Sequence, residues 1–292
     1  MLKEIEIKIK QILEQKVHST ISSFQLLPVG GGSINDVYKT IINKNQNFFI
    51  KINTTKKFPS LFEKEKNGLK FISKTKIIRA PEVIDFVNIN DKQVLILEWI
   101  EQGAKSESFW KAFGEQLANL HKINNVHYGF NEDNFMGALA QINTRSDNWI
   151  DFFIQYRLHP QIKMAIDNGH LIKKHLDIFE KLYKLLPNVF NIENASLLHG
   201  DLWSGNFLCD ENSLPVLIDP AVYFGHRSID LAMTTLFGGF DKAFYDSYNY
   251  HFPFPYNYRQ QWDVCNLYPL LIHLNLFGSG YLHDIEMILK KF

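Results

Sequence analysis

The sequence predicts an α+β fold of two lobes, with an antiparallel sheet in the N-terminal lobe and mainly helices in the C-terminal lobe. In the first third, apolar and polar residues alternate with the period of two that is typical of strands. From Ser106 onward, apolar residues recur mostly at helical spacing. Residues 101–107 (EQGAKSE) are polar, contain a glycine and separate the two regions. We therefore expect lobes at residues 1–100 and 108–292, joined by a linker at residues 101–107.

The N-terminal lobe begins with MLKEIEIKIKQILEQK, whose apolar residues at helical spacing predict an amphipathic helix rather than a secretory signal. Three strand-like segments follow, FQLLPV, DVYKTII and NFFIKIN, with the turn formers GGGS and NKNQN between them. A helix is expected at about residues 59–73, and then two more strands, EVIDFV and QVLILEW. The predicted order is helix, three strands, helix, two strands.

The C-terminal lobe begins with a helix in ESFWKAFGEQLANLH, where Trp110, Phe113, Leu117 and Leu120 share one face. Most of the remaining chain is predicted to be helical. The exception is LLHGDLWSGNFLCDENSLPVLIDP, residues 197–220, which sets polar residues among apolar ones. We expect the apolar residues of this stretch to form two short strands that hold the polar ones in place.

The composition is that of a globular protein without nucleic acid or membrane partners. The chain has 292 residues, of which 46% are hydrophobic, and 31 basic residues balance 31 acidic ones. No cluster of Lys or Arg forms a phosphate-binding stripe, and the apolar runs fall short of membrane length. The two cysteines, Cys209 and Cys265, are far apart, which fits a reducing cytoplasm rather than a disulfide framework or zinc site.

A glycine turn joins the first two predicted strands, with Gly31, Gly32 and Ser33 at its centre. Consecutive glycines let the backbone approach a ligand and present N–H groups to phosphate oxygens. An ordinary glycine-rich hairpin is the alternative. The residues that follow the turn decide between the two interpretations.

Lys51 lies in the short apolar strand FFIKI, on the same face as Phe49. A lysine in this position needs an anion, either a carboxylate or a phosphate, unless it extends to the surface. In the following helix, Glu65 falls on the apolar face, whereas Glu63 falls on the solvated face. Glu65 could therefore pair with Lys51 and leave the lysine directed at a polyphosphate.

His199, Asp201 and Asn206 have the spacing of a protein-kinase catalytic loop, and Asp219 follows a strand-like segment where kinases place a metal-binding aspartate. Phosphoryl transfer requires a carboxylate that accepts the acceptor's proton, and hard oxygen ligands for Mg²⁺ on the nucleotide phosphates. Asp201 is the candidate base, and Asn206 and Asp219 are the candidate metal ligands. Alone, each aspartate could be a turn or helix cap. The combination predicts a protein-kinase-like fold that uses ATP and Mg²⁺.

Other residues near this stretch are expected to be structural. His199 should bond the backbone near the metal loop, and Asp230 should accept backbone N–H groups from the catalytic loop. Gly200 stands where protein kinases regulated by phosphorylation carry an arginine, and Pro220 fixes its own backbone torsion. These residues favour a permanently assembled metal site. His226 and Arg227 could contact an acceptor or tie down their own segment, and we favour the second interpretation.

The motifs HGDLWSGN, DPAVYFGHRSIDLAMTTLFGGF and HLNLFGSGYL, together with GGGSINDVYK and FEKEKNGL, resemble the fructosamine kinase (ketosamine 3-kinase) family within the aminoglycoside-phosphotransferase-like branch of the kinase fold. The resemblance implies phosphorylation of the 3-hydroxyl of a ketosamine, after which the unstable product breaks down and regenerates the amine. It also implies Asp201 as base, Asn206 and Asp219 on Mg²⁺, and a nucleotide-binding N-terminal lobe in which Lys51 contacts the phosphates.

The resemblance further implies that adenine binds to backbone groups of Glu98 and Ile100, where the sheet meets the linker. Trp203 is either a platform for the acceptor sugar or a core residue that supports the catalytic loop. A kinase of the same fold acting on an aminoglycoside, choline or a thiosugar is the main alternative function. The third possibility is a nucleotide-binding module without turnover, against which the intact set of site residues argues.

Overall fold

The computed structural model describes residues 2–30 and 34–292. The N-terminal lobe contains, in chain order, α1 (Leu2–Val17), β1 (Phe24–Pro28), β2 (Asp36–Ile42), β3 (Gln46–Thr54), α2 (Leu61–Thr75), β4 (Val83–Ile89) and β5 (Lys92–Glu98). This is the predicted order of a helix, three strands, a helix and two strands. The division into lobes at residues 101–107 stays a prediction.

The five strands form one antiparallel sheet in the order β1-β2-β3-β5-β4, so β3 is central. Because side chains alternate along a strand, the sheet has two distinct faces. Ile50 and Ile52 pack on the same face as Ile5 and Ile9 of α1. Lys51 points to the other face, which lies toward the rest of the molecule.

Helix α2 is shifted by two residues from its expected position at residues 59–73. Ser60 has a left-handed backbone (φ 63°), so the helix begins at Leu61. At the other end, Lys76 is also left-handed (φ 57°) and its N–H bonds to the Ser73 carbonyl, which ends the helix. Periodicity located the helix correctly but carried no signal for these two backbone turns.

The C-terminal lobe is mainly helical, as predicted. Its elements are α3 (Glu107–His121), β6 (Asn124–Asn125), β7 (Asn134–Met136), β8 (Leu139–Gln141), α4 (Trp149–Phe153), a π-helical turn (Ile154–Leu158), α5 (His159–Asp167), α6 (Lys173–Val189), β9 (Ala195–Leu198), β10 (Phe207–Cys209), β11 (Pro215–Leu217), β12 (Tyr223–Gly225), α7 (Ser228–Leu236), α8 (Lys242–His251), α9 (Tyr258–Phe277), a 3-10 turn (Ser279–Tyr281) and α10 (Leu282–Leu289). Within the described chain, none of the helices combines the length and apolar character that a bilayer crossing requires.

The stretch of residues 197–220 contains the end of β9 and the whole of β10 and β11, one strand more than expected. Strands β10 and β11 form an antiparallel hairpin in which Phe207 pairs with Leu217. Asn206 and Ile218 therefore lie side by side at the open end of the hairpin, where the Ile218 N–H donates to the Asn206 carbonyl at 3.1 Å. This register brings Asn206 close to Asp219.

Candidate active site

The side chain of Lys51 is held by two carboxylates from distant parts of the chain. Its Nζ lies 2.8 and 2.9 Å from the two carboxylate oxygens of Glu65 and 2.9 Å from Asp219 Oδ1. Burial alone would lower the pKa of Lys51, but Asp219 and Glu65 outweigh it and hold that pKa above its usual range. The lysine is therefore a fixed positive charge, and its side chain is only 3% exposed.

Asp219 differs from Glu65 in that it remains open to solvent, with 44% of its side chain exposed. Its backbone is left-handed (φ 53°), a conformation that non-glycine residues rarely adopt. This turn follows directly after the hairpin of β10 and β11. Asp219 can therefore hold Lys51 through Oδ1 and still offer oxygen to a cation.

Asp201 and Asn206 form the second pair of the site. Asn206 Nδ2 donates to the Asp201 carbonyl at 2.8 Å and to Asp201 Oδ2 at 2.9 Å. Because the amide nitrogen is used in this way, the amide oxygen of Asn206 is the atom that can face a cation. Burial raises the pKa of Asp201 to about 7; the Asn206 hydrogen bond opposes this shift, and the charge of Asp219 adds to it. A carboxyl group with such a pKa can accept a proton near neutral pH.

Asn206 and Asp219 have the ligand chemistry that Mg²⁺ prefers, one amide oxygen and one carboxylate. Across residues 2–30 and 34–292, no group of three or more His, Cys, Asp or Glu side chains is arranged to hold a metal. Mg²⁺ at nucleotide sites takes its remaining oxygens from phosphates and water, so two protein ligands are sufficient. The residues present fit a cation that arrives with a nucleotide.

The catalytic loop is fixed by buried polar groups, as expected for His199 and Asp230. Asp230 accepts the backbone N–H groups of His199 at 2.7 Å and Gly200 at 2.8 Å, and it also bonds His121 Nε2 at 3.1 Å. His199 Nε2 donates to the Ile218 carbonyl at 2.8 Å, while Nδ1 accepts from the Asp201 N–H at 3.2 Å. Burial lowers the pKa of His199, so its ring is neutral and structural.

The segment that contains His226 and Arg227 is tied down by its own neighbours. Arg227 bonds both oxygens of Glu193, at 3.0 and 3.1 Å, and the carbonyls of Phe252 and Pro253. Both His226 and Arg227 are buried. These contacts hold the segment in place, as expected for structural residues rather than for residues of an acceptor site.

The predicted adenine site lies at the end of β5. The Glu98 N–H already donates to the Glu82 carbonyl at 2.9 Å, so the carbonyl is the backbone group of Glu98 that can serve an adenine. Its carboxylate pairs with Arg79, which also bonds Asp210 at 2.7 Å. Ile100 is buried just beyond the strand. Gly31, Gly32 and Ser33 lie outside the described residues.

Trp203 is 37% exposed, which does not fit a core tryptophan. Its indole lies over Gly205, where a Cβ would come within 2.3 Å of the ring. The edge of the indole meets Phe237 at 5.9 Å between ring centroids, and Phe237 lies 4.9 Å from His273. The backbone N–H of Trp203, not its indole, donates to the Asp201 carbonyl at 3.2 Å. A partly exposed aromatic row therefore begins beside the candidate base.

The sequence did not reveal Arg79, Phe237 or His273 as neighbours of the site. Arg79 and Asp210 are 131 residues apart, and no local period predicts such a pair. Phe237 belongs to the segment FGGF, residues 237–240, whose motif indicates the family but not its position beside Trp203. Its glycines were the available signal that this segment forms a tight loop.

Comparisons with known proteins agree with the fold and the motifs. The family model described as fructosamine kinase matches residues 5–292. The chain is 36% identical over 264 residues to a "probable ketoamine kinase" of Synechocystis, covering 90% of this chain and 88% of the relative. It is 37% identical over 272 residues to the chloroplastic protein-ribulosamine 3-kinase of Arabidopsis thaliana, covering 90% and 81%.

Solved structures show the same architecture. A candidate fructosamine-3-kinase from Haemophilus somnus 129PT superposes with a TM-score of 0.86 at 24% identity, over 97% of this chain and 96% of that one. Amicoumacin kinase superposes with a TM-score of 0.56 at 14% identity, over 100% and 95%. The predicted protein-kinase-like α+β fold is confirmed.

Proposed function

Because the chain belongs to the fructosamine kinase family, we propose that it transfers the γ-phosphoryl group of ATP to the 3-hydroxyl of a ketosamine, such as a fructosamine or ribulosamine adduct. The observation that carries this proposal is the cluster of Lys51, Glu65 and Asp219 next to the pair of Asp201 and Asn206. These are the groups that phosphoryl transfer requires, in a member of a kinase family.

Each residue has one proposed role. Lys51, held by Glu65, binds the nucleotide phosphates, and Asp201 accepts the proton of the sugar hydroxyl. The hydroxyl oxygen then forms its bond to the γ-phosphorus as the bond from that phosphorus to the bridging oxygen breaks, and ADP leaves. Mg²⁺, held by Asn206 and Asp219, would neutralise the negative charge of the phosphates when bound. The product phosphate ester is expected to break down and release the amine, which amounts to deglycation.

The nucleotide is proposed to lie between the glycine turn and the end of β5. Gly31, Gly32 and Ser33 would present backbone N–H groups to phosphate oxygens. The Glu98 carbonyl and the Ile100 backbone would bond the adenine. The Glu98 N–H is already paired with the Glu82 carbonyl, which is why the Glu98 carbonyl is the group assigned to the adenine.

The acceptor sugar is proposed to bind against Trp203. A flat indole can cover the apolar face of a sugar, and this one is partly exposed beside Asp201. Phe237 and His273 continue the aromatic surface that Trp203 begins. The amine-linked part of a ketosamine would then contact these rings.

The test is incubation of the purified protein with ATP, Mg²⁺ and a panel of fructosyl-, ribulosyl- and erythrulosyl-amines, both as free amino acids and on a protein lysine. We expect phosphorylation of at least one, with NMR locating the phosphate on carbon 3. If a folded protein that binds ATP phosphorylates none of them, the proposed substrate class is wrong. Phosphate on another carbon would refute the 3-hydroxyl assignment alone.

The role of Asp201 is tested by Asp201→Asn, which keeps the shape of the side chain but removes the proton acceptor. We expect nucleotide binding to be retained and turnover to fall by about 10²-fold or more. The matched control is Asp167→Asn, which changes an exposed carboxylate that pairs with Lys163 on the surface. Unchanged turnover in Asp201→Asn would show that another group accepts the proton.

The alternative acceptors, an aminoglycoside, choline or a thiosugar, are not favoured by the family match. The segment YNYHFPFPYNYRQQW is also aromatic and nearly uncharged, which does not suit a polycationic drug. A non-catalytic module is disfavoured by the intact cluster around Lys51. A cytoplasmic location stays a prediction.

A further inference from the structure

The segment of residues 132–143, here called the clamp segment, contacts both elements that supply carboxylates to Lys51. It contains strands β7 and β8 and lies between α3 and α4 in the chain. Nothing in the proposed chemistry uses it directly. Its contacts nevertheless reach α2 at one end and the loop after Asp219 at the other.

At its first end, the clamp segment holds helix α2 through Glu132. The carboxylate of Glu132 accepts from Lys64 Nζ at 2.7 Å and from Asn67 Nδ2 at 2.9 Å. Lys64 directly precedes Glu65 in the helix, and Asn67 follows two residues later. A contact on both sides of Glu65 restricts rotation and sliding of the helix where that residue lies.

Through Asn134 and Gln141, the clamp segment also holds the loop that follows Asp219. Asn134 Nδ2 donates to the Val222 carbonyl at 2.8 Å, and Gln141 Nε2 donates to the Ala221 carbonyl at 3.1 Å. These carbonyls are two and three residues beyond Asp219, whose left-handed backbone must be maintained by its surroundings. Two buried amide side chains supply part of that restraint.

The clamp segment is itself rigid because its amides are linked to one another and to the core. The Asn134 amide oxygen accepts from Gln141 at 2.8 Å and from Asn143 at 3.0 Å. Asn143 in turn accepts from Arg157 at 2.7 Å, and the Tyr268 hydroxyl donates to Gln141 Oε1 at 3.0 Å. Such a buried network is costly to break, since each lost partner leaves a buried polar group unpaired.

We propose that the clamp segment is a positioning element that sets the distance between Glu65 and Asp219 and so fixes Lys51 for the nucleotide, with Glu132 and Gln141 as its positioning residues. The proposal rests on the proposed function for the role of Lys51. Glu132 acts through α2 on Glu65, and Gln141 acts through Ala221 on Asp219. Because both carboxylates meet at one ammonium group, a shift at either end displaces the same Nζ.

The test compares Glu132→Ala and Gln141→Met with Glu63→Gln, a control on the exposed face of the same helix α2. Isothermal titration gives the Kd for ATP, steady-state kinetics give kcat and the separate KM values, and melting gives Tm. We expect each positioning variant to weaken ATP binding by about tenfold and to lower kcat, with the KM for the acceptor unchanged. Glu132→Asp, which keeps the carboxylate, should recover part of the ATP affinity, and the control should match the wild type.

A purely structural role predicts a lower Tm with the ATP Kd and kcat of the folded protein unchanged, and that result would overturn the proposal. If Gln141→Met does not fold, Glu132→Ala decides the question alone, because Glu132 lies near the surface. Wild-type protein that binds ATP but phosphorylates no ketosamine would count against the proposed function. The ATP titrations would still decide the positioning role.

Discussion

Gly200 is the residue of the catalytic loop where the smallest change should have the largest effect. Its backbone is left-handed (φ 86°), and a Cβ added there would lie 2.1 Å from the Ala221 carbonyl oxygen. Real Cβ atoms do not approach a neighbour closer than about 3.0 Å. Gly200→Ala must therefore displace the Ala221 peptide by roughly 1 Å, given the steric limits of close-packed interiors.

The cost of this substitution has two parts. A left-handed alanine costs about 1–2 kcal/mol by itself. Ala221 donates through its N–H to the His199 carbonyl at 2.8 Å and accepts through its carbonyl from Gln141 Nε2 at 3.1 Å, and its displacement strains both bonds. Losing these two bonds adds about 1 kcal/mol each. The expected loss in the free energy of unfolding is therefore about 3–4 kcal/mol for Gly200→Ala.

Gly169 provides the matched control, because it is also left-handed (φ 73°) but has open space around the position of a Cβ. Gly169→Ala should lose only the backbone part, about 1–2 kcal/mol, and keep full turnover. Urea unfolding of both variants gives the difference, and a kinase assay on the folded fraction gives the effect on the catalytic loop. Equal losses of stability in the two variants would refute the claim that the Ala221 contact matters.

Two further predictions concern His226 and Trp203. Burial lowers the pKa of His226 to about 4, from 6.5 for a free imidazole, so the folded state favours the neutral ring. The stabilisation of the folded state by neutral His226 is therefore complete above pH 6.5 and declines as the pH falls toward 4. Between pH 7.5 and 5, the free energy of unfolding should fall by about 2 kcal/mol more in the wild type than in His226→Asn. Urea unfolding at several pH values measures this difference. The same dependence of the unfolding free energy on pH in both proteins would contradict the prediction. In steady-state kinetics, Trp203→Leu should raise the KM for a ketosamine by about tenfold and leave the KM for ATP unchanged. An equal change in the two KM values would place Trp203 outside the acceptor site.

The sequence predicted the order of the sheet-forming lobe correctly because each strand carries its own alternation. In β3, the period of two placed Lys51 on the face opposite Ile50 and Ile52, and the structure shows that the two isoleucines pack with α1. The pairing of Lys51 with Glu65 was also predictable, since a buried lysine requires a carboxylate and the next helix offers only one on its apolar face. Local patterns were sufficient wherever the physical cause was local.

Several contacts within the site could not be predicted from local patterns, because they join residues that are far apart in the chain. Asp219 was expected to bind a metal, but its bond to Lys51 joins residues 168 positions apart. Glu132 and Lys64 carry ordinary surface charges in the sequence, and only the fold makes them partners. Arg157 is fully buried and rests on the faces of Tyr223 and Phe152, a position that no helical period indicates for an arginine.

These distant contacts explain how the site could stay assembled without a phosphorylated segment. Gly68 of α2 packs against Pro220, so closely that a Cβ there would lie 3.3 Å from both Pro220 and Val222. The proline restricts the backbone directly after Asp219, and the missing side chain at Gly68 lets the helix of Glu65 come close. In protein kinases, the corresponding helix and metal loop must be brought together by activation. Here packing already joins them, so we expect activity to depend on the integrity of this contact rather than on a covalent switch.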